Sequence, residues 1–90
     1  MRPSRNAQLI EALAATIKAR RNELGLTQEE LAGVIDLDRP YITLMEAARK
    51  QPTLSVLWRI ADGLELTAGE LMTRVDERYR KLSATQRKRP

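Results

Sequence analysis

The sequence predicts an all-α protein, a compact bundle of five helices whose first and last members are extended. Three observations carry this. Apolar residues make up 42% of the 90-residue chain while only one Trp, two Tyr and no Phe are present, a composition suited to a small core of Leu, Ile, Val and Ala. The apolar residues recur three and four positions apart, the period of a helix rather than of a strand. Two Thr-x-x-Glu capping boxes, Thr27 with Glu30 and Thr67 with Glu70, mark helix starts. The length allows one domain, which the pattern assigns to residues 1–82, leaving 83–90 as a basic, disordered tail.

Taken in order, the first helix starts after Pro3 and Ser4 and ends at Gly25, with Leu9 or Ile10, Leu13, Ile17 and Leu24 on its buried side. The second starts at the Thr27 cap and runs to about Ile35, burying Leu31, Val34 and Ile35. Asp36 and Leu37 break the period, and Asp38 caps a third helix that runs to about Glu46. Pro40 is tolerated there because backbone donors in a first helical turn have no helical partner. Ala47 to Gln51 form a polar linker. Pro52 and Thr53 open the fourth helix, with Leu54, Leu57, Ile60, Ala61 and Leu64 as its stripe. The Thr67 box starts the fifth, which carries Leu71, Val75, Tyr79 and Leu82 along one side.

Composition excludes several functions. With no Cys and no His, the chain has no disulfide framework, no soft-metal site and no imidazole for acid–base work, which fits a reducing cytoplasm. No Gly-rich phosphate loop or metal-ligand cluster is present, so an enzyme, a cofactor, a metal and a small-molecule effector are not expected. No apolar run approaches the roughly 18 to 20 residues that span a bilayer, and no hydrophobic leader is expected at the N-terminus.

The net charge is +4, but its distribution matters more than its size. Residues 6–73 carry seven basic against ten acidic side chains, whereas residues 74–90 carry seven against two. Bulk charge alone indicates only non-specific attraction to polyanions. The layout from Leu24 to Pro52 points instead to double-stranded DNA. Two short helices joined by a tight turn, the second bearing Arg, Tyr and Thr at its exposed start, form a helix-turn-helix that lays a helix end into the major groove.

Arg21, Gly25, Leu26, Thr27, Gln28, Leu31, Ala32, Tyr41, Ile42, Glu46, Pro52, Leu54, Leu57, Ile60, Ala61, Leu64 and Leu71 together resemble the Cro/C1-type helix-turn-helix family over roughly residues 13–72. The resemblance implies a five-helix, lambda-repressor-like fold and a transcriptional regulator that binds an inverted-repeat operator as a homodimer. The Leu-Asp-Arg-x-Tyr-Ile run at 37–42 and Gly-Leu-Glu at 63–65 further resemble the small controller proteins of restriction-modification systems. The family often has Gly where this chain has Asp36, Ala48 and Glu65, so positive φ is expected at all three. Leu44 stands where many members place a polar base-contacting side chain, which implies apolar readout there, for instance of a thymine methyl.

Arg39, Pro40, Thr43 and Leu44 are the base-contacting candidates. Arg39 heads the recognition helix, where its guanidinium can pair with guanine O6 and N7 or, alternatively, with Asp36 or Asp38. Gln28, Tyr41, Arg49, Lys50 and Thr53 are the phosphate-contacting candidates: Gln28 opens the second helix, Arg49 and Lys50 follow the third, and Thr53 opens the fourth. The Tyr41 ring has an alternative place between helices two and three. Arg21 and Glu46 are implied by the family as a structural ion pair. Leu71, Met72, Val75, Tyr79 and Leu82, with Trp58, are expected to form the dimer interface, the alternative being a fifth helix folded back on Leu9 and Ile10. A reading from another class, an antitoxin-like or adaptor protein whose main partner is a protein, stands beside the DNA reading.

Overall fold

The computed structural model describes residues 6–87, with side chains to residue 84. Its helices are α1 (Ala7–Glu23), α2 (Gln28–Val34), α3 (Arg39–Glu46), α4 (Leu54–Gly63) and α5 (Ala68–Arg87). The start of α1 is set by Asn6, whose side chain accepts from the Leu9 N–H at 3.1 Å. Both capping boxes close. Glu30 N–H donates to Thr27 Oγ1 at 3.0 Å while the Thr27 N–H donates back to Glu30 Oε1 at 2.8 Å. Thr67 and Glu70 repeat both distances at the head of α5. Those backbone donors hold the Glu30 and Glu70 carboxyls below the usual range, because they stabilise the ionised form.

The ends of α1 to α4 share one geometry. The residue after the C-cap takes a left-handed backbone, and the next N–H reaches back into the last turn: Leu26 to Arg21 O, Leu37 to Ala32 O, Arg49 to Leu44 O and Leu66 to Ala61 O, at 2.9–3.1 Å. The left-handed residues are Gly25, Asp36, Ala48 and Glu65, with φ of 70°, 56°, 59° and 59°. A Cβ in that region costs about 1–2 kcal/mol, part of which glycine loses again through its freer unfolded chain. Ala48→Gly and Glu65→Gly are therefore expected to stabilise the fold by about 0.5–1 kcal/mol each, raising the melting temperature of the double variant by roughly 5 °C or more. An unchanged or lowered midpoint in a thermal melt counts against strain at these caps.

The core joins all five helices. Ile17, Leu31, Ile42, Met45, Ile60, Leu64 and Leu71 are fully buried in it. Gly63 is the point at which α4 meets α2, since a Cβ there would overlap Ile35 Cγ2 and press on Leu31 Cδ1 at 3.3 Å. Two residues expected in the core are outside it. Val34 is 64% and Leu54 68% exposed, because α2 with its C-cap buries Leu31, Ala32 and Ile35 and α4 with its C-cap turns Ile60, Ala61 and Leu64 inward. Leu9 is also on the surface, and Ile10 takes the buried position.

The long helices α1 and α5 pack antiparallel along each other. Asn6 Nδ2 donates to the Tyr79 hydroxyl at 3.0 Å and Ser83 Oγ donates to Gln8 Oε1 at 3.4 Å, while at the other end Arg74 pairs with Glu23. This corrects the dimer-interface assignment for two residues: Leu71 and Val75 lie in the core of a single chain, at 0% and 3% exposure. Tyr79 is half-buried against the same core. A second correction concerns the tail. The helix continues through residues 83–87 rather than ending at Leu82, and residues 88–90 fall outside those described.

Candidate nucleic-acid interface

The helix-turn-helix spans Thr27 to Glu46. Asp38 heads α3 by accepting from the Tyr41 N–H at 2.9 Å, and Pro40 occupies the first turn, where it removes no helical hydrogen bond. Arg39, Pro40, Thr43 and Leu44 are all exposed on α3. Among the described residues Arg39 forms no ion pair with Asp36, Asp38 or any other carboxylate. Its guanidinium therefore keeps its donors for an external acceptor.

Arg21 anchors the far end of α3 from α1. Its Nε and Nη2 donate to the two carboxylate oxygens of Glu46 at 2.7 and 2.8 Å, and Nη1 donates to Leu26 O at 2.7 Å. The two side chains are 10% and 3% exposed. Hydrogen bonding to Glu46 raises the already high pKa of Arg21, so the guanidinium stays charged. In this way α1, the loop after it and the end of α3 are tied at one point.

Gln28 departs from a free phosphate seat. Its Nε2 donates to Glu46 Oε1 at 3.1 Å and its Oε1 accepts from Thr43 Oγ1 at 2.8 Å, so the side chain bridges α2 and α3. One Nε2 hydrogen remains uncommitted. Tyr41 is half-buried at the core edge, where burial pushes its hydroxyl pKa up, and the Lys50 ammonium lies 5.0 Å from its ring centroid. Tyr41 thus packs inward while supporting a cation of the following loop. Arg49 and Lys50 are exposed, and Thr53 caps α4 by accepting from the Val56 N–H at 3.3 Å.

Two arginines that the pattern of the sequence does not single out fasten the frame. Arg59 on α4 donates through Nε to Ile35 O at 3.1 Å and through Nη2 to Asp36 O at 2.7 Å, with a second bond from Nη2 to Ile35 O. Arg20 on α1 donates through Nε to Leu64 O at 2.9 Å. Each supplies cationic donors to the carbonyl end of another helix, the negative pole of its dipole. The available signal was that neither α2 nor α4 has a basic residue in its own last turn, so donors had to come from elsewhere. Among the described residues no group of His, Cys, Asp or Glu is arranged to hold a metal ion, and no helix is long and apolar enough to cross a membrane.

A short α2, a tight turn with a left-handed residue and an α3 that exposes Arg39, Pro40, Thr43 and Leu44 define a DNA-binding module of the Cro/C1 type. The chain belongs to the helix-turn-helix family, whose sequence profile matches residues 17–71. It is 38% identical over 64 residues to the control protein C.SmaI of Serratia marcescens, covering 71% of this chain and 76% of that one. It is similar in structure to the restriction-modification controller protein C.Esp1396I, solved as a tetramer with its natural 35 base-pair operator, with a TM-score of 0.74 and 32% identity over 79% of this chain and 93% of that one. The clp gene regulator ClgR of Corynebacterium glutamicum shares the fold, with a TM-score of 0.81 over 93% of this chain and 87% of that one at 23% identity.

Proposed function

We propose that this chain is a transcriptional regulator that occupies operator DNA as a two-fold homodimer, inserting the start of α3 of each copy into the major groove. The observation that carries this reading is Arg39, exposed at the first position of α3 and without an acidic partner among the described residues. Bidentate donation to guanine O6 and N7 suits its planar fork. Leu44, 42% exposed one turn beyond Pro40, offers an apolar contact for a thymine methyl. Arg49, Lys50, Thr53 and the second Nε2 hydrogen of Gln28 contact phosphates and set the register of the helix. Similarity to a controller protein bound to its operator supports the DNA partner.

The dimer face of this proposal is smaller than the sequence implies, since Leu71 and Val75 are core residues. Trp58 and Leu54, one turn apart on α4 and both more than half exposed, form its centre together with half-buried Met72. Leu82, ten residues further along α5, lies beside Ala12 and Ala15 of α1 and is not part of this centre. A two-fold pairing of this kind sets the two α3 helices about 34 Å apart, one turn of DNA, and so reads an inverted repeat.

Selection of bound sites from a random DNA pool, with sedimentation of the free protein, tests the proposal. An inverted repeat and a dimer at micromolar concentration are expected. Arg39→Ala is expected to flatten one guanine position in each half-site, with a loss of roughly 1–3 kcal/mol in specific binding and an unchanged melting temperature. No enriched sequence, or selectivity untouched by Arg39→Ala, overturns the assignment.

A further inference from the structure

The Arg21–Glu46 pair is one end of a chain of polar side chains that reaches the outer face of α3. Glu46 Oε1 accepts from Arg21 Nη2 and from Gln28 Nε2, at 2.8 and 3.1 Å. Gln28 Oε1 in turn faces Thr43 Oγ1 at 2.8 Å, and the same hydroxyl lies 3.1 Å from the carbonyl oxygen of Arg39. Each link runs in one direction only. A guanidinium has donors alone and an ionised carboxylate has acceptors alone. The carboxamide of Gln28 must therefore turn its NH2 group to Glu46, because the flipped amide would set oxygen against carboxylate oxygen. That leaves its oxygen facing Thr43. Both protein neighbours of the Thr43 hydroxyl are thus acceptors, and its single hydrogen is directed inward.

We infer that Thr43 is a specificity-determining residue that presents only an acceptor to DNA, and so selects a base carrying an exocyclic amine, adenine through N6 or cytosine through N4. Guanine O6 and N7 and thymine O4 are acceptors and find no hydrogen there. An unconstrained threonine hydroxyl serves either kind of base, since it can rotate to donate or accept. Here the buried ion pair, acting through Gln28, removes that freedom. Gln28 is the positioning residue of the arrangement, and its remaining hydrogen stays available to a phosphate. The inference rests on the proposed entry of α3 into the major groove.

The test uses the full chain, a random DNA pool and the selected operator. Wild-type protein is expected to show one position per half-site that favours adenine or cytosine. Thr43→Val keeps the side-chain shape and is expected to flatten that position about five-fold, the share of one hydrogen bond. Gln28→Leu leaves the hydroxyl with a single inward acceptor and is expected to narrow the preference there by admitting guanine and thymine. A second measurement does not depend on a variant folding. An operator base analogue lacking the exocyclic amine at that position should weaken the wild type by the same factor and leave Thr43→Val unchanged. Enrichment that depends on Arg39 but is indifferent to Thr43 and to the amine, or a Thr43-dependent preference for guanine or thymine, overturns this inference alone. Failure of wild-type protein to enrich any sequence overturns the DNA-reading proposal and this inference with it.

Discussion

Replacing Arg21 by Met is expected to destabilise the protein by about 3–5 kcal/mol, because it leaves the nearly fully buried Glu46 carboxylate without its counter-charge. Among the described residues only the Gln28 amide would remain to satisfy that carboxylate, and Leu26 O would lose its Arg21 donor as well. Glu46→Gln should cost less than Arg21→Met, since the guanidinium keeps Leu26 O and Asn22 Oδ1 as acceptors. A double variant with matched apolar groups is expected to recover part of the loss, because no unpaired charge is then buried. Urea denaturation of the set, analysed as a double-mutant cycle, measures the coupling. A loss below about 1 kcal/mol for Arg21→Met would place the pair with ordinary exposed ion pairs and remove it as the anchor of α3.

Val75→Asp and Leu82→Asp are expected to have opposite outcomes although both residues lie on one stripe of α5. Val75 is 3% exposed beneath α1, so an aspartate there buries a charge with no partner and should abolish the folded state or cost several kcal/mol. Leu82, at 36% exposure near the end of the same helix, should accept the charge with little change in stability. Circular dichroism and thermal melting distinguish the two. A folded, monomeric Val75→Asp protein would mean that α5 lies between two copies rather than against α1 of its own chain.

Much of the frame is legible in the residues themselves. Thr27, Asp38, Thr53 and Thr67 each announce a helix because a capping side chain reaches a backbone donor only three positions on, a contact that local geometry alone decides. Proline at position 40 fits for the same local reason. The left-handed residues at 36, 48 and 65 follow from the family resemblance rather than from residue type, since neither Ala nor Glu favours that backbone.

Helical spacing alone is a weaker guide to depth. It identifies an apolar face on α2 and α4 but not how far that face extends, and Val34 and Leu54 lie at its exposed margins. Whether α5 covers its own α1 or a second chain is likewise open in the sequence, because Leu71, Val75, Tyr79 and Leu82 have the same spacing in either packing. The structure places Leu71 and Val75 in the core of one chain and leaves Trp58 and Leu54 outside it.

The sequence by itself therefore determined the five helices, their caps, the helix-turn-helix and the exposed start of α3, all of which depend on residues within one or two turns of each other. Only the tertiary structure decided what the long polar side chains do. Arg59 finds the end of α2 across 24 residues, Arg20 the end of α4 across 44, and Asn6 the Tyr79 hydroxyl across 73. Gln28 turns from an expected phosphate seat to a bridge between Glu46 and Thr43. Such side chains are long and flexible, and in the unfolded chain no partner is favoured over another. Which donor meets which acceptor is settled by the burial of the apolar stripes that bring the helices together, after which every polar group left in the interior must be paired.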